Sequence, residues 1–368
     1  MLYDSMKEKF ALVGVLLCSA LTFSSGYAQE PQWMEKVKVS AYGELYYLYN
    51  LNQPKSGDVA PFLYSYHRHN EVNLNFGMVK LQYEQERVRA NFALMAGTYV
   101  QANLANEPDG LKNLYEANIG VKLSPSHELW LDAGIMPSHI GFESNIGADI
   151  MTMTRSMMAE NSPYFSSEVK LTYGTPNKKW LIALHLMNGW QRIQRPEGNS
   201  TLAVGHQVAY RPNDSWTFNS SSFIGSDTPD DARKIRYFHH ANIAYQFNEQ
   251  LNFLLGFDLG FQQKEKNSKD YSSWYAPLIM GQYKLSDQWR IAARVEYYCD
   301  EDGIIIPTDT ARGFQTFGYS MNVDYQITKE VLWRVEARSL QSKEAIFTRN
   351  DRKVSEQVMI GTSISIHL

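Results

Sequence analysis

Between Leu251 and Gln262 the chain places Leu or Phe at 251, 253, 255, 257, 259 and 261, against Asn252, Gly256, Asp258, Gly260 and Gln262. The last run is nearly as regular: Val358, Ile360, Ile364, Ile366 and Leu368 oppose Gln357, Gly361, Ser363, Ser365 and His367. A period of two puts successive side chains on opposite faces of a strand, one apolar and one wet. Runs of this kind fall near 36–51, 69–84, 88–100, 113–123, 128–136, 164–174, 179–190 and 201–211. They continue near 215–225, 236–247, 250–262, 272–285, 288–299, 313–327, 330–341 and 354–368. These are about 16 strands; an even number brings both ends of the array to one side.

The joints between the runs repeat. Tyr283-Lys-Leu-Ser-Asp-Gln-Trp289 recurs as Tyr245 to Leu251, Tyr325 to Val331, Tyr210 to Trp216 and Tyr173 to Trp180, with looser copies at Val121 and Tyr83. Each copy reads as a tight hairpin turn. Successive copies are 38, 52, 37, 35, 38 and 42 residues apart. Each period holds two long runs rather than the four short strands of a propeller blade, and runs of about 9–11 residues suit a membrane-crossing strand. The other joints, at 52–67, 101–112, 137–163, 191–200, 226–235, 263–271, 300–312 and 342–353, are long and polar. Trp180, Trp216, Trp289 and Trp333 each stand just after a short turn, on the parity of the apolar face, as an interfacial girdle would require. The pattern predicts an all-β fold, a transmembrane antiparallel up-and-down β-barrel with short periplasmic turns and long extracellular loops.

Composition fits this. The chain is 44% hydrophobic with mean hydropathy −0.39, and no apolar stretch after the N-terminus is long enough for a membrane helix. Met6-Lys-Glu-Lys, the apolar run Phe10 to Phe23 and Gly26-Tyr27-Ala28 predict a signal peptide over 1–28, then a periplasmic lead over 29–35 and a barrel over 36–368. Cleavage would remove Cys18 and leave Cys299 alone, with packing as its simplest role. The net charge is −4 and no basic stripe or run appears, so nothing in the sequence points to nucleic-acid binding.

Tyr42-Gly-Glu-Leu-Tyr-Tyr47, Leu131-Asp-Ala-Gly-Ile-Met-Pro-Ser-His-Ile-Gly-Phe-Glu143 and Ser162-Pro-Tyr-Phe165 are where the chain resembles the Bacteroidetes-type putative β-barrel porin-2 family. The resemblance implies an outer-membrane porin in a Gram-negative cell, and brings no catalytic residue and no settled substrate.

The segment 137–163 accounts for the outsized gap, and it carries Met151, Met153, Met157 and Met158. Apolar methionines in a loop exposed to water need burial, so the segment is expected to fold into the lumen and narrow it, with Glu143, Asp149, Arg155 and Glu160 facing the pore. An extracellular lid or partner-binding loop is the competing reading. Arg290, Arg294, Glu296, Asp324, Arg334, Glu336 and Arg338 share the polar parity of three consecutive runs, and charge on a lipid face costs about 2–4 kcal/mol per residue, so these are expected in the lumen. Facing the acidic loop they would set up a transverse field that selects solutes; paired among themselves they would only stiffen the wall.

No catalytic or metal motif appears and no cofactor is implied. The nine His are scattered, and no His stands two residues from a Ser on a shared strand face with an obvious third partner. Asp300-Glu-Asp-Gly303 and Asp227 to Asp231 read as acidic loop tips or as sites for divalent cations beside lipopolysaccharide. The expected partners are outer-membrane lipids, lipopolysaccharide, small solutes and a second copy of the chain. The function read from the sequence is passive diffusion of small hydrophilic solutes or ions. The alternative is a non-conducting barrel serving as a structural or binding subunit of an outer-membrane complex.

Overall fold

The computed structural model describes residues 34–368; the expected signal peptide, 1–28, and most of the expected lead, 29–35, lie outside the described residues. Sixteen strands close a barrel, and all sixteen expected runs are among them. In chain order they are β1 (Val37–Asn50), β2 (Val72–Glu84), β3 (Val88–Ala96), β4 (Leu114–Lys122), β5 (Glu128–Pro137), β6 (Phe165–Gly174), β7 (Trp180–Met187) and β8 (Ala203–Tyr210). There follow β9 (Trp216–Gly225), β10 (Arg236–Gln246), β11 (Leu251–Gln263), β12 (Tyr271–Lys284), β13 (Trp289–Asp300), β14 (Phe314–Gln326) and β15 (Val331–Ser342). After a two-stranded hairpin, β16 (Phe347–Arg349) and β17 (Arg352–Val354), the last strand β18 (Glu356–His367) pairs with β1, Tyr42 opposite His367, and closes the ring. Each strand is antiparallel to its neighbours in sequence order, so every ladder is satisfied and no edge is left in the bilayer.

The repeated turn has a local cause. The third residue after Tyr245, Tyr283 and Tyr325 supplies a side-chain oxygen to the backbone N–H three residues on: Asn248 to Leu251 at 2.8 Å, Ser286 to Trp289 at 3.1 Å, Thr328 to Val331 at 3.2 Å. Asn, Ser and Thr are interchangeable there because each offers one short acceptor. The same repeat brings its aromatics to one level. In the ladder Trp289 and Trp333 flank Tyr325, Trp216 faces Tyr245, and Trp180 faces Tyr210 with ring centroids 4.1 Å apart.

Alternation delivers two faces. Leu255 and Phe257 of β11 are 47% and 44% exposed on the outside, whereas Asp258 between them and Leu259 is 2% exposed on the inside. Expected strands stop short where glycine turns the chain. The third ends at Ala96 because Gly97 adopts φ 134°, and a Cβ there would lie 2.2 Å from the Asn75 carbonyl oxygen. The last long loop holds a hairpin that the sequence reading missed, its turn made by Asn350 and Asp351 at φ 46° and 64°.

Candidate functional site

The loop between β5 and β6, residues 138–164, is threaded through the barrel. Its apolar residues drive this: Met153 and Met157 are fully buried and Met158 nearly so, in one cluster with Leu48, Leu278, Met280 and Leu340 of the wall. Glycines on the wall make room. A Cβ on Gly361 would stand 2.7 Å from Met153 Cε, and one on Gly256 2.6 Å from Phe142 Cε1.

Polar groups of β13, β14 and β15 clasp the loop. Arg334 pairs with Asp324 (2.7 and 3.0 Å) and donates to four loop carbonyls, those of Gly147, Ile150, Met151 and Thr152, at 2.6–3.1 Å. Arg294 donates to the Thr154 carbonyl (2.6 Å) and to Thr152 Oγ1 (2.8 Å), with Glu296 at 3.2 Å. Arg338 donates to the Arg155 carbonyl (3.0 Å) and to Glu296 (2.7 Å). In return Glu336 accepts the Thr154 N–H at 2.5 Å, Glu296 that of Met157 at 2.6 Å, and Asn322 that of Met153 at 3.0 Å. An irregular backbone inside a barrel has no ladder to join, and these side chains supply the partners it needs.

The loop acids and Arg155 hold loops together. Glu143 accepts the Ser156 N–H (3.1 Å) and hydroxyl, and burial pushes its carboxyl up against the opposing pull of Arg294. Glu160 accepts Tyr64 N–H at 3.0 Å and the Ser65 hydroxyl, tying in the loop 51–71. Arg155 donates to the carbonyls of Ser144 and Asn145 and lies over the rings of Tyr99 and Tyr164, 4.5 and 5.0 Å from their centroids. Asp149 is exposed, beside Ala148, whose N–H reaches Tyr42 Oη at 3.3 Å in the half nearer the short turns.

The eleven charged residues expected around the pore thus occupy two kinds of place. Arg294, Glu296, Asp324, Arg334, Glu336 and Arg338 lie beneath the loop, each 3% exposed or less; Glu143, Arg155 and Glu160 are buried within the loops. Arg290 is half-buried below the clasp, donating to Gln326 at 3.1 Å, and with Asp149 is left to meet lumen water. In the extracellular half of the barrel the loops fill the interior, since Met95, Met187, Phe223, Trp274, Leu340 and Met359 all point inward and are at most 5% exposed. A cleft of about 360 Å³ lies above, lined by Tyr64, Glu107, Glu160, Trp190 and Arg236.

Three features escaped sequence reasoning. Lys80, Arg89, Lys122 and Lys170 lie half-buried on the inner face of β2–β6, away from the clasp and interleaved with carboxylates. Lys80 pairs with Glu116, Arg89 with Asp132 and Lys122 with Glu128, while Lys170, opposite Asp132 and His185 in the ladder, makes no ion pair within 4 Å among the described residues. Inward parity on these short strands was the available signal. Second, cross-strand pairing brings Ser222 Oγ to 2.6 Å from His206 Nδ1, and Ser220 Oγ to 3.2 and 2.9 Å from His206 and His239 Nε2. This group lies on the outer face, and none of its hydrogen bonds reaches a carboxylate, so no triad is assembled. Third, His139, Glu168 and His185 converge inside the wall, each buried, with His139 pushed down to about 4 by burial and the neighbouring His185.

The acidic loops are structural. Asp300 is fully buried and accepts three successive N–H groups, from Ile304, Ile305 and Ile306, at 2.7–2.9 Å; Asp227 accepts Trp190 N–H at 2.9 Å beside Arg236. Cys299, buried, packs on the outer side of β13 opposite Tyr275.

A family profile described as Putative beta-barrel porin-2, OmpL-like matches residues 36–368. A search of the curated proteins finds no match. Solved structures match in fold. OprB of Pseudomonas putida, in its high-pH structure, superposes with TM-score 0.60 at 10% identity, over 92% of this chain and 96% of that one. The anion-selective porin of Comamonas acidovorans gives 0.59 at 7%, over 90% and 99%. OmpT of Vibrio cholerae in its trimer form gives 0.57 at 12%, over 90% and 99%.

Proposed function

The chain belongs to the family described as Putative beta-barrel porin-2, OmpL-like, and on that footing we propose that it is an outer-membrane channel for passive diffusion of small hydrophilic solutes, gated by the loop 138–164. The observation that carries the gating is the clasp. Nine charged side chains are spent on holding one loop in a barrel of sixteen strands, a size at which an unobstructed lumen would conduct water and ions freely. Passage then follows the wall that the loop does not cover, past Arg290 and Lys170, which make no ion pair within 4 Å among the described residues, and solutes of negative charge are favoured there. The aromatic level of Trp180, Trp216, Trp289 and Trp333 sets the barrel's depth at the periplasmic headgroups.

The filled extracellular half supports a second reading, a non-conducting barrel that serves as a subunit of a larger outer-membrane assembly, with its own copies or other partners. Single-channel conductance in planar bilayers separates the two. The wild-type protein is compared with a variant in which residues 141–161 are replaced by a short Gly/Ser linker. Diffusion through a gated pore predicts small steady openings in the first and large ones in the second. Silence from both would sink the channel.

A further inference from the structure

The wall of β6 and β7 contains a group that neither the fold nor the clasp requires. His139 is the second residue past β5, at the root of the in-folded loop; Glu168 and His185 face it from β6 and β7. They are 6%, 6% and 4% exposed, and one ligand atom from each lies within 4.8 Å of the others. The outer hydrogen bonds fix the protons. His139 Nε2 is 2.9 Å from the Ser222 carbonyl, so it carries the hydrogen and leaves Nδ1 as a lone pair. His185 Nδ1 is 2.9 Å from Glu168 Oε2, so these two atoms share one hydrogen and face each other across the position a cation would take. His139 Nδ1, His185 Nε2 and Glu168 Oε1 are all buried and have no hydrogen-bond partner among the described residues.

The unpaired lone pair of His139 Nδ1 and the Glu168 carboxylate, held in one dry place, repel one another and forfeit their hydration. A cation between them removes both penalties. Two imidazoles and a carboxylate, with no thiolate, are a ligand set for a divalent transition metal of the zinc class, and leave a fourth tetrahedral position for water or an anion. His139, whose far nitrogen donates to the Ser222 carbonyl, has the outer bond that orients and strengthens a metal ligand, and a cation at His185 Nδ1 takes the place of the hydrogen shared with Glu168 Oε2. The rings are stacked, with centroids 3.8 Å apart and planes 18° apart, so binding tilts them until their lone pairs converge.

We propose that His139, Glu168 and His185 bind one divalent transition-metal ion of the zinc class, which fastens the root of the loop 138–164 to the barrel wall. The proposal stands on this cluster alone and does not need the barrel to conduct.

The test uses the full, folded barrel, purified with a tag free of histidine and stripped with a chelator. Zn²⁺ is titrated calorimetrically, and bound metal is counted by elemental analysis after dialysis. Wild type is expected to hold one Zn²⁺ per chain, and His185→Ala and Glu168→Gln to lose it or bind roughly 100-fold more weakly. Heat-modifiable migration on gels verifies that each variant is folded. Co²⁺ in place of Zn²⁺ is expected to show the visible bands of a tetrahedral nitrogen–oxygen site in wild type, and to lose them in His139→Ala. Zinc should also slow proteolysis within 138–164 in wild type only. Absence of stoichiometric binding to folded wild type overturns the proposal, as does binding that survives all three substitutions.

Discussion

Arg334 on β15 and Asp324 on β14 sit directly opposite in the ladder and meet in a two-pronged pair, Nε to Oδ1 at 2.7 Å and Nη2 to Oδ2 at 3.0 Å. Neither is more than 2% exposed, and the remaining edge of the guanidinium faces the loop carbonyls. Asp324 therefore aims the arginine, and the arginine holds the loop.

Arg334→Ala leaves the Asp324 carboxylate and several loop carbonyls buried without partners, a loss of about 3–5 kcal/mol when one half of a buried pair is removed. The ladder is untouched, so the cost falls on the loop. Limited proteolysis should cut within 138–164 while the barrel keeps its folded migration on gels. Asp324→Asn should cost less, and the double variant should cost less than the sum of the singles. Strict additivity would mean that the two residues act apart.

Gly361 gives a steric version of the same experiment. Its Cβ position lies 2.7 Å from Met153 Cε, so Gly361→Val must push Met153 aside, at a cost of about 1–3 kcal/mol for overpacking. Loop release, read by proteolysis, should increase. Met153→Ala introduced into that variant should restore protection in part, because it vacates the disputed space. If Met153→Ala makes the loop looser still, the contact is not the cause.

Some of this was legible in the chain and some was not. Strand faces and turns are local: Asn248, Ser286 and Thr328 cap their own hairpins, and Leu255 and Phe257 declare their side by spacing alone. The loop was legible through Met153 and Met157, which have no place in water. What Arg334 would touch was not. Parity turns it inward, but whether it meets water or a loop backbone depends on where residues 147–152 pass, some 180 positions away. The same holds for Ser222 and His206, joined only by register between β8 and β9, and for His139, Glu168 and His185, which come from three elements.

Acidity should act on the loop through Glu143. Burial raises this carboxyl above its ordinary value, so between the unfolded and folded values the folded state binds more protons than the unfolded one. Stability conferred by the group is therefore complete below the unfolded value and falls as pH rises through the folded one. In Glu143→Gln that slope should vanish. Hydrogen exchange of the loop amides, corrected for intrinsic rates, checks it from acid to neutral pH. A wild-type loop that tightens relative to the variant as pH rises would reverse the sign and refute the assignment.

Charge selectivity distinguishes the wall that the loop covers from the wall that it leaves bare. Lys170 is half-buried on the inner face of β6 and makes no ion pair within 4 Å among the described residues, and Arg290 is half-buried near the periplasmic end of β13. Arg338 is 3% exposed and bound to the loop and Glu296. In a salt gradient the wild-type reversal potential should indicate anion preference, since exposed lumen charge sets the local ion concentration. Lys170→Glu and Arg290→Glu should each move it toward cations with little change in unit conductance. Arg338→Ala should do the opposite, raising conductance through a loosened loop while leaving preference nearly unchanged. A reversal potential that responds to Arg338 and ignores Lys170 would mean that ions pass on the clasped side, and the route along β2–β6 would have to be abandoned.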